Sequence, residues 1–386
     1  MKKAILKISM IAGILLLFLC DRYAVNGSSE HQTASLTPPY PSPLQSTSQP
    51  GNQFVGTNKL FLPMIKRPWE YLPVTAPTNS YSIYVKDFSG DALFHAGCDQ
   101  GDRDRELPGV QNSLVFIHFG QPYKENNQYG VKLHPPGQFK TMIEISTAVD
   151  NYARGYWQCT GIDTGSKVTI AIGVNSDFSI TLQNSTYAHG AAWANMVIAT
   201  DSLIKQHNYD SQVEIAGGSN MELDFDSPYN TINWVNGYDE VVDDPILGPS
   251  FLLYSIGDAA GCPPYGQCVT SQYSWTQEEV WYITYGCNSC YSIPMIYYPW
   301  TQAEQWQNLS QYSKQAHGYP ILFQGTTTQS KACLQRPLDK SCPTNSPEEG
   351  YGQLYTLLNS YPDTIIPQTD FKWSTDMKWL GEPDAE

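Results

Sequence analysis

The segment Ala216-Gly-Gly-Ser-Asn-Met-Glu-Leu-Asp-Phe-Asp226 is the densest concentration of reactive groups in the chain. Glu222, Asp224 and Asp226 alternate with Met221, Leu223 and Phe225. In an extended chain, alternate residues share a face, so three carboxylates would line one side about 6.5 Å apart. Crowded carboxylates cannot all ionise freely, so one is pushed up and becomes a general acid while a neighbour stays ionised. Glycoside hydrolysis uses such a pair at separations of about 5 to 9 Å. The competing readings are a solvated acidic loop or a calcium site of oxygen ligands. Asp258, in Ser255-Ile-Gly-Asp258, closes a later apolar run and is the second candidate carboxylate, unless it only makes a turn with Gly257. Asp224 and Asp258 are the two candidates for nucleophile or base beside Glu222.

Candidate ligand-binding residues surround these three. They are His118 at the end of Ser113-Leu-Val-Phe-Ile-His118, Asn220 and Asp226 beside Glu222, and Tyr297, Tyr298 and Trp300 after an apolar run. Sugars stack on aromatic rings, and these three rings follow a strand beside Pro299. Trp193, Trp234, Trp275, Trp281 and Trp306 fit core packing equally well. Two pattern matches lead nowhere. Asp163-Thr-Gly165 has no second Asp-Thr-Gly to share a proton and reads as a turn. Asp99-Gln-Gly-Asp-Arg-Asp-Arg-Glu106 places Arg103 and Arg105 where a barrel strand needs small or apolar residues, so it reads as a charged surface loop or, alternatively, a cation loop. H-E-x-x-H, G-x-S-x-G, phosphate-loop and dinucleotide patterns are absent from the sequence, and no cofactor is implied.

Short apolar runs must position these groups. Ser113–Phe119, Val168–Val174, Val213–Gly217, Phe251–Ile256, Val280–Tyr285, Ile293–Tyr298 and Ile321–Gln324 read as strands. Pro294 weakens the sixth, because it cannot donate to a ladder. Helical patterns occupy Gly137–Tyr156, Gly190–His207, Thr301–Gln315, with Thr301 as the expected N-cap, and Gln353–Leu358. Strands that are apolar throughout and alternate with helices imply a parallel sheet buried on both faces. The predicted fold is α/β, a (β/α)8-like barrel of TIM type. The short gap between the fifth and sixth runs leaves no room for a helix, so an incomplete or irregular barrel is expected there. In such barrels the working residues sit at the C-terminal ends of strands.

Lys2, Lys3 and Lys7 precede an apolar run from Ile8 to Cys20. This is the pattern of a secretory signal, with cleavage expected after Ala24, and the run is too short for a membrane span. Cys20 after Leu17-Phe-Leu19 offers the alternative of a lipid anchor, although Leu19 is large for a lipoprotein box. Residues 25–59 are rich in Ser, Thr, Pro and Gln and read as a disordered stalk. Residues 60–386 then form one barrel domain. Without Cys20, eight cysteines remain, and export favours disulfides. Local spacing suggests Cys262 with Cys268, Cys287 with Cys290 and Cys333 with Cys342, leaving Cys98 for Cys159. A four-thiolate zinc site on Cys262, Cys268, Cys287 and Cys290 is the alternative, disfavoured by the first spacing.

The 386 residues carry 37 acidic against 22 basic groups, a net −15, so no nucleic-acid partner is expected. A hydrophobic share of 41% excludes disorder over most of the chain. Together, Gly97-Cys98, Ala216-Gly-Gly-Ser-Asn-Met-Glu222, Gly257-Asp-Ala-Ala-Gly-Cys-Pro263 and Trp373-Ser-Thr-Asp376 resemble secreted bacterial barrel proteins of glycoside-hydrolase-like type. The resemblance spans about residues 95 to 380. It implies a carboxylate closing a middle strand as acid or nucleophile, and Glu222 matches that place. The chain lacks the Asn-Glu pair of the largest such clan, and the order of its acids reverses that of the chitinase type. The expected activity is carboxylate acid/base chemistry on a polysaccharide or cell-wall glycan, outside the cell or at its surface. The alternatives are a non-catalytic carbohydrate-binding barrel and, third, a peptidase or amidase.

Overall fold

Eight strands follow one another around a parallel sheet in chain order. They are β1 (Ser80–Val85), β2 (Asn112–His118), β3 (Lys167–Asn175), β4 (Val213–Met221), β5 (Leu253–Gly257), β6 (Cys290–Pro294), β7 (Gly325–Thr328) and β8 (Trp373–Leu380). Each pairs with its predecessor from β2 to β6, β7 pairs with β8, and β8 pairs with β1. A single bridge between Met295, just past β6, and Thr327 of β7 all but closes the ring. The computed structural model describes residues 74–383 apart from 135–136, 179, 183, 245, 247, 337–341 and 343–344. The expected leader, Cys20 anchor and stalk lie outside the described residues.

Helices α1 (Gly90–Glu106), α2 (Met142–Cys159), α3 (Thr186–Gln206), α4 (Pro228–Val242), α5 (Gln277–Trp281), α6 (Thr301–His317), α7 (Ser330–Leu334) and α8 (Pro347–Asn359) surround the ring. Several begin at the caps their sequences supply. Thr141 with Glu144, Thr276 with Glu279 and Ser346 with Glu349 form capping boxes, each satisfying two otherwise orphaned backbone donors.

Four sequence expectations change. Val280–Tyr285 is not a strand: the Thr276 box starts α5 there, and a π-turn over Tyr282–Gly286 continues it. That restores the alternation there, and the incompleteness lies instead between β6 and β7, which a single bridge joins. Ile321–Gln324 lies before β7 rather than in it. The charged stretch Asp99–Glu106 is the second half of α1, with Gln100, Gly101 and Asp104 buried on one face. Polar burial there hid the helical period. Thr301 does not cap α6; the residue before it, Trp300, holds the cap position at φ +61°.

Two cores result. The outer one lies between sheet and helices. The inner one fills the barrel with Leu114, Phe116, Tyr254, Ile256, Ile293 and Trp373 among others. Inside the barrel, the Phe116 ring of β2 lies over the neighbouring strands β3 and β4. A Cβ at Gly173 or Gly218 would stand 2.1 or 2.4 Å from that ring, so both positions need glycine. The close approach that Gly217-Gly218 permits is therefore filled by the chain's own Phe116 and Tyr238.

Disulfides join Cys98 to Cys159, Cys262 to Cys268, Cys287 to Cys290 and Cys333 to Cys342. The first ties the middle of α1 to the last residue of α2. The second and third consume the thiolates that a zinc site would need.

Candidate functional site

The C-terminal ends of the strands gather a group of buried and half-buried polar side chains. On β4, Ala216, Gly218 and Asn220 alternate toward the lumen, and the chain leaves the sheet after Met221. Glu222 therefore stands at the mouth. Its Oε1 accepts from Asn220 Nδ2 at 3.0 Å. The Oδ1 of Asn220 is buried and has no partner among the described residues. On β5, Asp258 follows Gly257, which pairs with Met221. Asp258 Oδ1 accepts from the backbone N–H of Leu223 at 3.3 Å and of Ala260 at 3.2 Å. The two carboxyls thus flank one short stretch of backbone, residues 222 and 223.

Their electrostatics follow from this placement. Burial, reinforced by the neighbouring charges of Asp258 and Asp224, pushes Glu222 up to about 7. Burial pushes Asp258 up to about 6, against the pull of its two backbone donors. Near neutrality the pair thus supplies a protonated carboxylic acid beside a carboxylate, the arrangement that acid/base chemistry needs.

The other two acids of the segment do not share their face. The chain turns over Leu223–Phe225 instead of extending. Asp224 swings to the loop after β5, where Ser271 Oγ donates at 2.8 Å and Gln272 N–H at 3.0 Å. Burial raises it, but hydrogen bonds from Thr270, Ser271 and Gln272 outweigh that and hold it below the usual range. Asp226 Oδ1 accepts from Ser227 N–H at 2.6 Å and Asn230 Nδ2 at 2.9 Å, so it holds the first turn of α4. The β5 loop, stapled by Cys262–Cys268, braces the turn further through Trp275 Nε1, which donates to Leu223 O at 2.9 Å.

His118, at the end of β2, is buried. Its Nδ1 meets His134 Nε2 at 2.7 Å, and its own Nε2 has no partner. Burial first, and then His134, keep His118 well below the usual histidine range; burial and Arg336 bring His134 down to about 4. Both rings are therefore neutral near pH 7. The ring of Tyr84, from β1, stands edge-on to both histidines at 5.4 and 5.3 Å. Its hydroxyl lies 3.5 Å from Tyr297 OH and donates to Gln329 Oε1 at 3.3 Å. Both tyrosines are raised, mainly by burial, and the charge of Glu222 adds to it. Tyr298 is exposed on the rim beyond β6. Trp300 packs on the outer core, with its N–H donating to Gln353 Oε1 at 2.8 Å.

The fold thus brings together Glu222, Asp258, Asn220, His118 and Tyr297, and sends Asp224, Asp226 and Trp300 to neighbouring loops. Sequence reasoning missed Tyr84 and His134. The alternation Ser80-Tyr-Ser-Ile-Tyr84 carried a strand signal for the first; nothing in Leu133-His-Pro-Pro136 signals the second. Asp376, in the Trp373-Ser-Thr-Asp376 motif, accepts from Thr328 Oγ1 and from the N–H groups of Ser330 and Lys331, and so fixes the start of α7.

No protein-family model matches the chain, and no curated protein does. Among solved structures it is similar to the spore cortex-lytic enzyme SleL of Bacillus cereus, at 10% identity and a TM-score of 0.37, over 82% of this chain and 74% of that one.

Proposed function

We propose that the protein is a glycoside-hydrolase-like enzyme that acts on a polysaccharide, with Glu222 as general acid and Asp258 as the ionised partner. The observation that supports this reading is the adjacency of two raised carboxyls at the ends of β4 and β5, on the face where barrels of this type carry their chemistry. Asp224, held low by its hydrogen bonds, adds negative charge that raises both Glu222 and Asp258. Asn220 orients the acid, and its free Oδ1, with His118 Nε2, offers hydrogen-bonding sites for sugar hydroxyls. Four disulfides suit an oxidising compartment, consistent with export. Among the described residues no helix is long and apolar enough to cross a membrane.

A second reading, a glycan-binding barrel without turnover, draws support from exposed aromatics on adjacent rim loops: Tyr265 after β5 and Tyr298 after β6. One experiment separates the two. The protein and its Glu222→Gln variant are incubated with a panel of polysaccharides and peptidoglycan, and new reducing ends are measured. Release by the unaltered protein alone supports the enzyme. Retention on an insoluble glycan without release by either supports the binding module.

A further inference from the structure

The mouth is electrically divided. The segments after β4 and β5, residues 219–231 and 257–276, contain Glu222, Asp224, Asp226 and Asp258 and no lysine or arginine. On the other side, past β8, β1, β2 and β3, two adjoining clefts of about 480 and 350 Å³ share Leu133 in their walls. Lys86 and Lys140 line the first and Lys132 and His134 the second, and Asp87 is the one carboxylate among the residues that line them.

The partners of these lysines leave positive charge available. Lys132 makes no ion pair among the described residues, and its ammonium sits 4.0 Å from the centre of the Tyr123 ring. Lys86 and Arg336 share one carboxylate, Glu382. Lys140 reaches Glu144 only at 3.4 Å, while Glu144 is occupied in capping α2. Three ammonium groups around two clefts stand out in a chain of net charge −15. The clefts are also linked to the chemical site through packed side chains. His134 lines the second cleft, its ring stacks on His118, and both meet Tyr84, whose hydroxyl adjoins Tyr297.

We infer that these clefts receive an anionic substituent, a carboxylate or a phosphate, of the glycan whose bond is presented to Glu222. The inference rests on the proposed function and narrows its substrate class to acidic polysaccharides. Lysine suits this task as a mobile point charge that accepts anions of differing geometry. Single exposed charges contribute little, so convergence is what matters. The acidic side repels the same substituent, which orients the chain across the mouth in one direction.

The test uses the full chain with Glu222→Gln, so that bound polymer is not cut. Affinities are measured by calorimetry at low salt for polygalacturonate and for peptidoglycan strands, each native and with carboxyls reduced to alcohols, and for poly(glycerol phosphate). The expected result is binding about tenfold or more tighter for an acidic polymer than for its reduced form. That margin should vanish in Lys86→Met/Lys132→Met/Lys140→Met. It should persist in Lys167→Met/Lys205→Met/Lys314→Met, which removes equal charge from the opposite end of the barrel. A margin carried only by the phosphate polymer keeps the inference and assigns the anion as phosphate. Equal binding of native and reduced polymers with no preference for phosphate, or a margin that survives the first triple variant, overturns it. Reducing-end release by the unaltered protein decides the acid/base reading independently.

Discussion

Two carboxyl sites, one buried and one half-buried, lie at opposite ends of the barrel. Asp104, in the last turn of α1 beside the start of β2, is 1% exposed and accepts from Gln100 Nε2 at 2.8 Å, Ser113 Oγ at 3.0 Å and Tyr156 OH at 2.9 Å. Glu222, at the other end, accepts one side-chain bond, from Asn220. Burial raises both acids. At Asp104 the protein has spent the lone pairs on its own cross-links between α1, α2 and β2. At Glu222 it has left them open, and set another acid beside them. Removal from water therefore serves different ends: the satisfied, fully buried carboxyl ties elements together, and the half-buried, under-satisfied one keeps lone pairs open, as the proposed function requires.

Four experiments sharpen or break this contrast. The largest effect is expected on turnover: Glu222→Gln should lower kcat/KM by about a thousandfold while leaving glycan binding intact, since it removes the transferable proton and keeps the shape. Loss of binding with little change in turnover of bound substrate would place the acid elsewhere. Next, Asp104→Ala should cost about 2–4 kcal/mol in denaturant unfolding, because Tyr156, Ser113 and Gln100 lose a common acceptor, with kcat unchanged below the melting temperature. A fall in kcat equal to that of Glu222→Gln would dissolve the distinction.

Third, kcat should follow a bell in pH. It rises through about 6 as Asp258 ionises and falls through about 7 as Glu222 loses its proton. Glu222→Gln should erase the alkaline limb from any residual activity. Fourth, a raised carboxyl stabilises the fold fully below its unfolded value of about 4 and loses that contribution as pH rises through the folded value. Glu222→Gln should therefore melt about 2–4 °C above the unaltered protein at pH 8, with the gap closed at pH 4. An equal gap at both pH values would mean that the raised carboxyl is not its source.

The legible parts of the molecule were those where local chemistry and fold agree. Val168–Val174 and Val213–Gly217 are apolar throughout because both faces of β3 and β4 are covered, and that burial is visible in the residues themselves. Glu222 and Asp258 could be picked out because each ends such a run. Val280–Tyr285 misled because its β-branched and aromatic residues suit a strand as well as a buried helix, and the Thr276–Glu279 box that decides the matter lies outside the apolar run. The three-carboxylate face failed for a related reason. Ser227 caps α4 and Asp226 supports that turn, so the helix begins too soon for an extended chain to survive past Met221. Tyr84 and His134 come together through the pairing of β1 with β2, which sets Tyr84 opposite His118, and through the loop after β2 that returns His134 to His118; they are about 50 residues apart, a distance that no local pattern spans.

The inner core, with Phe116 packed over Gly173 and Gly218, has a consequence for traffic. Its side chains fill the barrel and make the mouth a dish with a packed floor. Whatever reaches Glu222 arrives and departs by the same rim, so a product that lingers blocks the next arrival. A polymer must lie across the dish, because there is no passage through which to thread it. Neither glycine can grow while Phe116 keeps its ring, so a larger residue at 173 or 218 requires a smaller one at 116.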